Sequence, residues 1–231
     1  MNIMSTKLNP KNNLSDEWVY NQIESLKREC PFHPKENFIL DPKAFDKVGD
    51  YKDKVYYLIK LFQLPYENID IYLHGNLKHG KPVAGMAVYP DLYNTKYVND
   101  DEEMLSTEGG KTVTWSGGTE NPVIIIKSHE TLEPIKSKAT IYLNQDYSQY
   151  NYFMSATIAH EVAHLYLYYH KVHTLGTSNN MAIEYQTDLA TFIMGLGKIM
   201  LRSAKINDCG YLSYKQMQLA QKLVMEAVNF H

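Results

Sequence analysis

The sequence predicts an α+β fold in which a small, mainly antiparallel sheet packs on helices. Helical apolar periodicity comes first, several short strand patterns follow, and helical patterns then return, an order typical of this class. A length of 231 residues with 44% hydrophobic residues suits one compact domain. We therefore expect a single domain over 1–231, with an N-terminal helical part over 1–65, a sheet region over 66–145 and a second helical part over 146–231.

The N-terminal part is predicted to contain two amphipathic helices. Ser15, followed by two acidic residues, is typical of a helix N-terminus, and this helix is predicted over 16–29. Its apolar stripe consists of Trp18, Ile23 and Leu26. A second helix is predicted over 51–64 and ends before Pro65. The segment 37–49 between the two helices contains an Asp-Pro pair and is predicted to be a loop or short irregular structure.

The sheet region contains short runs of apolar and β-branched residues separated by turn residues. These runs predict strands at 69–73, 83–89, 112–115, 123–127 and 140–144. The third and fourth runs flank a loop with two glycines, so we expect them to form a hairpin. The polar stretch 91–110 carries an acidic run and is predicted to be a surface insertion.

The second helical part contains a His-Glu-x-x-His motif, His160-Glu161-x-x-His164, inside a long apolar helical pattern. Asp146 or Ser148 is predicted to cap this helix. On a helix the two histidines lie one turn and about 40° apart, so both imidazoles project from one face and can bind one zinc ion. Glu161 is offset by about 100° and can instead reach a water at the open position of the metal and act as a general base.

A catalytic zinc ion usually has a third protein ligand, and the sequence offers two candidates. Two further helices are predicted, over 180–194 and over 214–229. The first of them carries Glu184, the first candidate ligand. Asp188 lies four residues later on the same face, where it can accept the outer N–H of a ligand histidine and so fix its tautomer.

The second candidate is His170, which follows the motif at the distance found in the metzincin metallopeptidases. In those proteins a glycine lets the chain turn sharply toward the metal. Leu167 occupies the glycine position here, and leucine does not easily adopt the positive φ that such a turn needs. If the helix continues instead, His170 lies about 240° around the axis from His164 and points away. Glu184 is therefore favoured, with His170 as the alternative.

The motif together with the later helix resembles the gluzincin metallopeptidases, whose third zinc ligand is a glutamate on a following helix with an aspartate one turn later. The matching positions are His160, Glu161, His164, Glu184 and Asp188. The resemblance implies a zincin-like fold with an active-site helix, a following Glu helix, and an exposed edge strand beside the site that pairs with extended substrate. The candidate edge strands in this chain are those at 123–127 and 140–144.

A second resemblance covers residues 155–197 closely and 30–200 loosely. It is to a group of bacterial His-Glu-x-x-His proteins in which Glu-x-x-Thr-Asp-Leu precedes an apolar run that contains glycine. This second resemblance implies no particular substrate.

Composition argues against several functional classes. A formal net charge of −3 argues against nucleic-acid binding through bulk electrostatics. No stretch approaches the run of about 18 apolar residues that a transmembrane helix needs, so no membrane association is expected. The first 16 residues are polar and lack an apolar signal-peptide core, and the chain has only two cysteines. We therefore expect a cytoplasmic protein.

Together these features predict a zinc-dependent metallopeptidase with one zinc ion per chain and a peptide or protein substrate. The alternative is a catalytically inactive, peptidase-like domain that binds zinc or a partner. Residue type alone offers several candidates for the group that stabilises the oxyanion: Tyr166, Tyr169, His173, Tyr185 and Tyr211. Cys30 is a candidate for a different role, as an inhibitory ligand folded back onto the zinc ion.

Overall fold

The computed structural model of the chain describes residues 14–30, 39–75, 78–79, 81–82, 84–88, 102–107, 111–116, 124–128, 138–172, 180–207 and 209–228. Over these residues helices pack against a small sheet, so the predicted α+β class is confirmed. No helix in that part of the chain combines the length and the apolar character that crossing a bilayer requires.

The helices and strands follow one another in the expected order. The helices are α1 (Asp16–Glu29), α2 (Pro42–Asp46), α3 (Tyr51–Leu61), α4 (Asn151–Tyr169), α5 (Asn180–Ile193), α6 (Gly197–Asn207) and α7 (Tyr214–Val228). The strands are β1 (Ile69–His74), β2 (Lys78–His79), β3 (Lys81–Pro82), β4 (Gly85–Val88), β5 (Glu102–Thr107), β6 (Lys111–Ser116), β7 (Ile124–Ser128) and β8 (Ala139–Asn144).

Capping residues set the start of the first two helices. α1 begins where predicted, because the hydroxyl oxygen of Ser15 accepts a hydrogen bond from the backbone N–H of Trp18. α2 lies in the segment that was predicted to be a loop or short irregular structure, and that prediction is wrong because five residues are too few to show a helical period. The Asp41 side chain accepts from the N–H of Lys43, and Pro42 occupies the first turn.

The sheet beside the helices has the strand order β1-β8-β4. β8 runs parallel to β1 and antiparallel to β4, so this sheet is mixed and the prediction of a mainly antiparallel sheet is wrong for it. A parallel pair needs a long connection, and the chain has one because β1 ends at His74 and β8 begins at Ala139. The predicted edge strand at 140–144 is likewise wrong, since β8 is the central strand and is paired on both sides.

The other three-stranded sheet has the order β5-β6-β7 and is antiparallel throughout. The predicted hairpin is confirmed by the pairing of β6 with β7, in which Val113 lies opposite Ile126. β7 is an outer strand of this sheet. β5 lies inside the stretch 91–110, where no strand was predicted because its two glutamates are residues that strands disfavour.

α4 is the central helix of the fold. Its residues from Met154 to Leu167 are all buried, as expected for a helix that is apolar around most of its circumference. It packs on α3, α5 and α6 and against β4 and β8. The helix begins after Tyr150 without a side-chain cap, and Asp146 belongs instead to a 3-10 turn at Gln145–Tyr147 that precedes it. The prediction that Asp146 or Ser148 caps this helix is therefore wrong.

Two glycines with positive φ lie in the connections that follow α5 and α6. Gly195, with φ of 75°, follows the end of α5 and allows α6 to begin two residues later. Gly210, with φ of 92°, lies between α6 and α7. A Cβ atom at Gly210 would lie 3.1 Å from Oδ2 of Asp188 on α5. The segment between α6 and α7 is thus brought directly against α5.

Candidate metal centre

Three potential metal ligands converge where α4 packs against α5. His160 and His164, one turn apart on α4, both present Nε2 to the carboxylate of Glu184 on α5. Oε2 of Glu184 lies 2.9 Å from Nε2 of His160 and 3.2 Å from Nε2 of His164. The two Nε2 atoms are 3.0 Å apart. The structure therefore brings together the three residues that the sequence predicted as ligands.

The donor set and its spacing fit a tetrahedral zinc site. Zinc–nitrogen bonds of about 2.0–2.1 Å at tetrahedral angles place neighbouring ligand atoms roughly 3.3 Å apart. The observed separations, 2.9, 3.0 and 3.2 Å, are close to this value. Two histidines and one glutamate also form a known catalytic zinc set that leaves a coordination position open. In the described part of the chain, no other group of three or more His, Cys, Asp or Glu side chains lies close enough together to share an ion.

The electrostatics of the cluster favour a positive charge among the three ligands. Burial alone lowers the pKa of His160, but the hydrogen bonds to Asp188 and Glu184 and the negative charges of these two residues together outweigh burial and raise this pKa well above its ordinary value. Burial alone raises the pKa of Glu184, but the charges and hydrogen bonds of His164 and His160 hold it well below its usual range. A proton or a metal cation supplies the charge that these groups favour.

Asp188 connects His160 to the segment between α6 and α7. It is fully buried, and its Oδ1 lies 2.9 Å from Nδ1 of His160, which leaves Nε2 to face the other ligands. Its Oδ2 accepts hydrogen bonds from the backbone N–H groups of Tyr211, at 2.6 Å, and Leu212, at 2.9 Å. The sequence predicted the contact with a histidine, whereas the contact with 211–212 joins distant parts of the chain and was not predicted.

Glu161 lies between α4 and the outer strand β4. Only 5% of it is exposed, and its carboxylate accepts a hydrogen bond from the backbone N–H of Ala87. Burial raises the pKa of Glu161 above its usual value, because the charged form loses hydration. A buried carboxylate with a raised pKa holds a proton more tightly than an exposed one, so Glu161 is suited to accept and return a proton.

Gly85 allows β4 to approach α4 this closely. A Cβ atom at Gly85 would lie 2.6 Å from Cγ2 of Thr157 and 2.9 Å from Oε1 of Glu161. Any side chain at this position would therefore displace the strand or the carboxylate. Gly85 is not among the residues predicted from the sequence to form the site, although a glycine inside a strand pattern often indicates the close approach of another group.

Tyr211 covers one side of His160. Its ring stacks on the imidazole, with centroids 5.5 Å apart and an interplanar angle of 29°. The negative charge of Glu184 raises the pKa of Tyr211 well above its ordinary value, and burial and the charges of Glu161 and Asp188 act in the same direction. The phenol therefore keeps its proton at neutral pH and can donate a hydrogen bond.

His170, the alternative third ligand, lies away from the cluster. α4 continues as a regular helix through Leu167 to Tyr169, so the chain does not make the turn that the metzincin pattern requires. The imidazole of His170 packs against the ring of Tyr166, with centroids 4.4 Å apart. The expectation that a leucine at this position lets the helix continue is confirmed.

Cys30 is not among the clustered ligand atoms, and Tyr169 and Tyr185, two of the candidates for the oxyanion, pack against other rings. Cys30 is buried, and burial raises the pKa of its thiol to about 12. Tyr185 packs edge-on against Trp18 at 6.0 Å, and Tyr169 packs against Tyr168. His173 lies outside the described residues.

Comparison of the chain with protein-family models, with curated proteins and with solved structures found no match. What the site does is therefore inferred from the geometry and chemistry of its own residues.

Proposed function

We propose that this chain is a zinc-dependent metallopeptidase in which His160, His164 and Glu184 bind one zinc ion. The observation that carries the proposal is the convergence of these three ligands beside a buried carboxylate, Glu161, that is not part of the cluster. A structural zinc site is closed by a fourth protein ligand, whereas a catalytic site keeps one position open. The described residues supply three ligands and a neighbouring base, which favours the catalytic kind of site.

Each residue of the centre has a distinct part in the proposed hydrolysis. A bound zinc ion supplies Lewis acidity, which polarises the scissile carbonyl and lowers the pKa of water toward about 7. Asp188 holds the ring of His160 in place through Nδ1, and such outer partners orient ligands and raise their basicity. Glu184 contributes the negative charge that makes this donor set attractive to a divalent cation.

Glu161 serves first as general base and then as general acid. Its carboxylate accepts a proton from the attacking water and passes that proton to the nitrogen of the leaving amine as the peptide bond breaks. The raised pKa of Glu161 supports both steps, because a group that must gain and lose a proton works best when its pKa is near the working pH. The hydrogen bond from the backbone N–H of Ala87 holds the carboxylate in one position beside β4.

The proposed fold is zincin-like, with β4 as the strand that pairs with substrate. Over the described residues β4 pairs with β8 only, so its other edge has no strand partner there. The backbone N–H of Ala87 donates its hydrogen bond to Glu161 rather than to β8, so the carboxylate of Glu161 lies along the outer edge of β4. An extended peptide added to the edge of β4 would therefore run past Glu161, a common mode of peptide recognition.

Tyr211 is the residue that we assign to stabilise the oxyanion. Tyr211→Phe is expected to lower kcat for peptide hydrolysis by about 10²–10³-fold with little change in KM, because one donor to the transition state is lost. Phenylalanine retains the ring that stacks on His160. The matched control is Tyr214→Phe, at an exposed position at the start of α7. A higher KM with unchanged kcat would refute the assignment.

Removal and return of the metal test the proposed function directly. The purified protein is stripped with a chelator and assayed on peptides, esters and phosphate esters before and after the addition of one equivalent of zinc. We expect peptide cleavage only after zinc is returned. Cleavage of non-peptide substrates alone would assign a different hydrolysis to the site. Zinc binding without cleavage of any substrate would favour an inactive, peptidase-like domain that binds zinc or a partner.

A further inference from the structure

Thr187 lies against His164 much as Asp188 lies against His160. It is the residue before Asp188 on α5, and it is fully buried. Its Oγ1 lies 3.1 Å from Nδ1 of His164. Its hydroxyl also donates a hydrogen bond of 2.8 Å to the backbone carbonyl of Ile183. Two consecutive residues of α5 therefore contact the two motif histidines of α4, each through Nδ1.

The bond to Ile183 determines the direction of the bond to His164. A hydroxyl has a single proton, and Thr187 donates it to the carbonyl oxygen of Ile183. The same oxygen can then only accept a hydrogen bond from His164, which requires a proton on Nδ1. In a neutral imidazole the lone pair is then on Nε2. Nε2 is the atom that faces Glu184 and His160 in the cluster.

We propose that Thr187 is a positioning residue, which holds His164 in the Nδ1–H tautomer and so keeps the lone pair on Nε2, the atom that would bind a metal ion. The tautomer follows from the hydrogen bonds alone, whereas the benefit for metal binding rests on the proposed function. Asp188 and Thr187 thus divide the task, because each fixes the ring of one histidine. If the hydroxyl of Thr187 served only to bond the carbonyl of Ile183 within α5, its removal would not affect the ring of His164.

A neutral partner suits His164 because the centre already contains three carboxylates. Glu184 faces the ligand cluster, Glu161 lies beside it and Asp188 is fully buried behind His160. Negative charge that is not compensated is costly in buried surroundings. Thr187 fixes the tautomer of its histidine without adding to that charge.

Zinc affinity provides the first test. Thr187→Val keeps the shape of the side chain and removes the hydroxyl, so we expect the zinc dissociation constant to rise about 10–100-fold, the usual cost of losing an outer partner of a ligand. Thr187→Ser should restore the wild-type affinity. Thr191→Val is the matched control, because Thr191 is buried one turn later on α5 and its hydroxyl donates to the backbone carbonyl of Asp188. Competition with a chromophoric chelator measures the zinc dissociation constant of the wild type and of the three variants.

The tautomer itself provides the second test, and it needs no metal. Nitrogen-15 NMR of the imidazole side chains is recorded on the metal-free protein at alkaline pH, where an ordinary imidazole is neutral. We expect the Nδ1–H form of His164 in the wild type and in Thr187→Ser, and a mixture of tautomers in Thr187→Val. If Thr187 had only a packing role, the tautomer of His164 would be the same in Thr187→Val as in the wild type.

The two tests separate the failure of this proposal from the failure of the proposed function. An Nε2–H tautomer of His164 in the wild type, or equal zinc affinity of Thr187→Val and wild type, would overturn the role of Thr187. If the wild type binds no zinc, the proposed function fails, and the tautomer of His164 still decides for or against Thr187. The wild-type spectrum keeps the proposal testable even if Thr187→Val does not fold.

Discussion

Glu161→Gln is expected to lower kcat for peptide hydrolysis by about 10²–10⁴-fold, the usual contribution of a general acid–base group. The amide has the size and shape of the carboxylate but cannot take a proton from water. Its oxygen can still accept the hydrogen bond from the N–H of Ala87, so the contact between α4 and β4 is retained. Glu161 is not one of the three clustered ligands, and the variant should therefore bind as much zinc as the wild type.

The matched control for Glu161→Gln is a Glu→Gln change at an exposed position away from the site. Glu226→Gln provides it, because Glu226 is exposed on α7 and forms a loose ion pair with Lys222 at 3.6 Å. We expect this control to keep wild-type activity. If Glu161→Gln also kept wild-type activity, Glu161 could not be the general base. If the variant lost zinc together with activity, Glu161 would have to be assigned to metal binding.

Glu184→Ala is expected to abolish stoichiometric zinc binding, whereas His170→Ala should leave one zinc ion per chain. Glu184 contributes the oxygen that lies within 3.2 Å of both Nε2 atoms. Loss of a residue that only hydrogen-bonds to a ligand weakens metal binding by up to roughly 100-fold. Loss of Glu184, itself a proposed ligand, should weaken zinc binding by more than this. His170 packs against Tyr166 and takes no part in the cluster. Elemental analysis of the dialysed proteins measures the zinc content.

The same three proteins distinguish the competing ligand sets. Loss of zinc from His170→Ala, with retention in Glu184→Ala, would point to a metzincin-like site despite the leucine at 167. A wild type that takes up no metal from a zinc-replete buffer would remove the basis of the enzymatic proposal. Circular dichroism of the metal-free proteins is the control, since a variant that has unfolded would lose zinc for an unrelated reason.

The candidate ligands could be predicted from the sequence because helix geometry is local. Residues four apart on a helix lie on one face, so the spacing within the motif is enough to align His160 with His164. The same rule puts Glu184 and Asp188 on one face of α5. The sequence also indicated that Leu167 would keep α4 helical, and for this reason His170 was not the favoured ligand.

Elements with weak local signals could not be predicted in this way. α2 has five residues and β5 begins with two glutamates, so neither shows the period or the composition of its class. The pairing of β8 with both β1 and β4 joins segments far apart in the chain, and alternating apolar residues do not specify which strand will be the neighbour. For this reason β8 was mistaken for an edge strand.

The sequence by itself determined the α+β class, the motif helix, and the residues proposed as ligands and base, because these depend on composition and on spacing within single helices. Only the tertiary structure decided what surrounds them. Gly85 brings β4 against Glu161, Thr187 meets His164, and Tyr211 reaches His160 from the segment beyond α6. Such contacts depend on how separate elements pack, and packing is a property of the whole chain that no local spacing encodes.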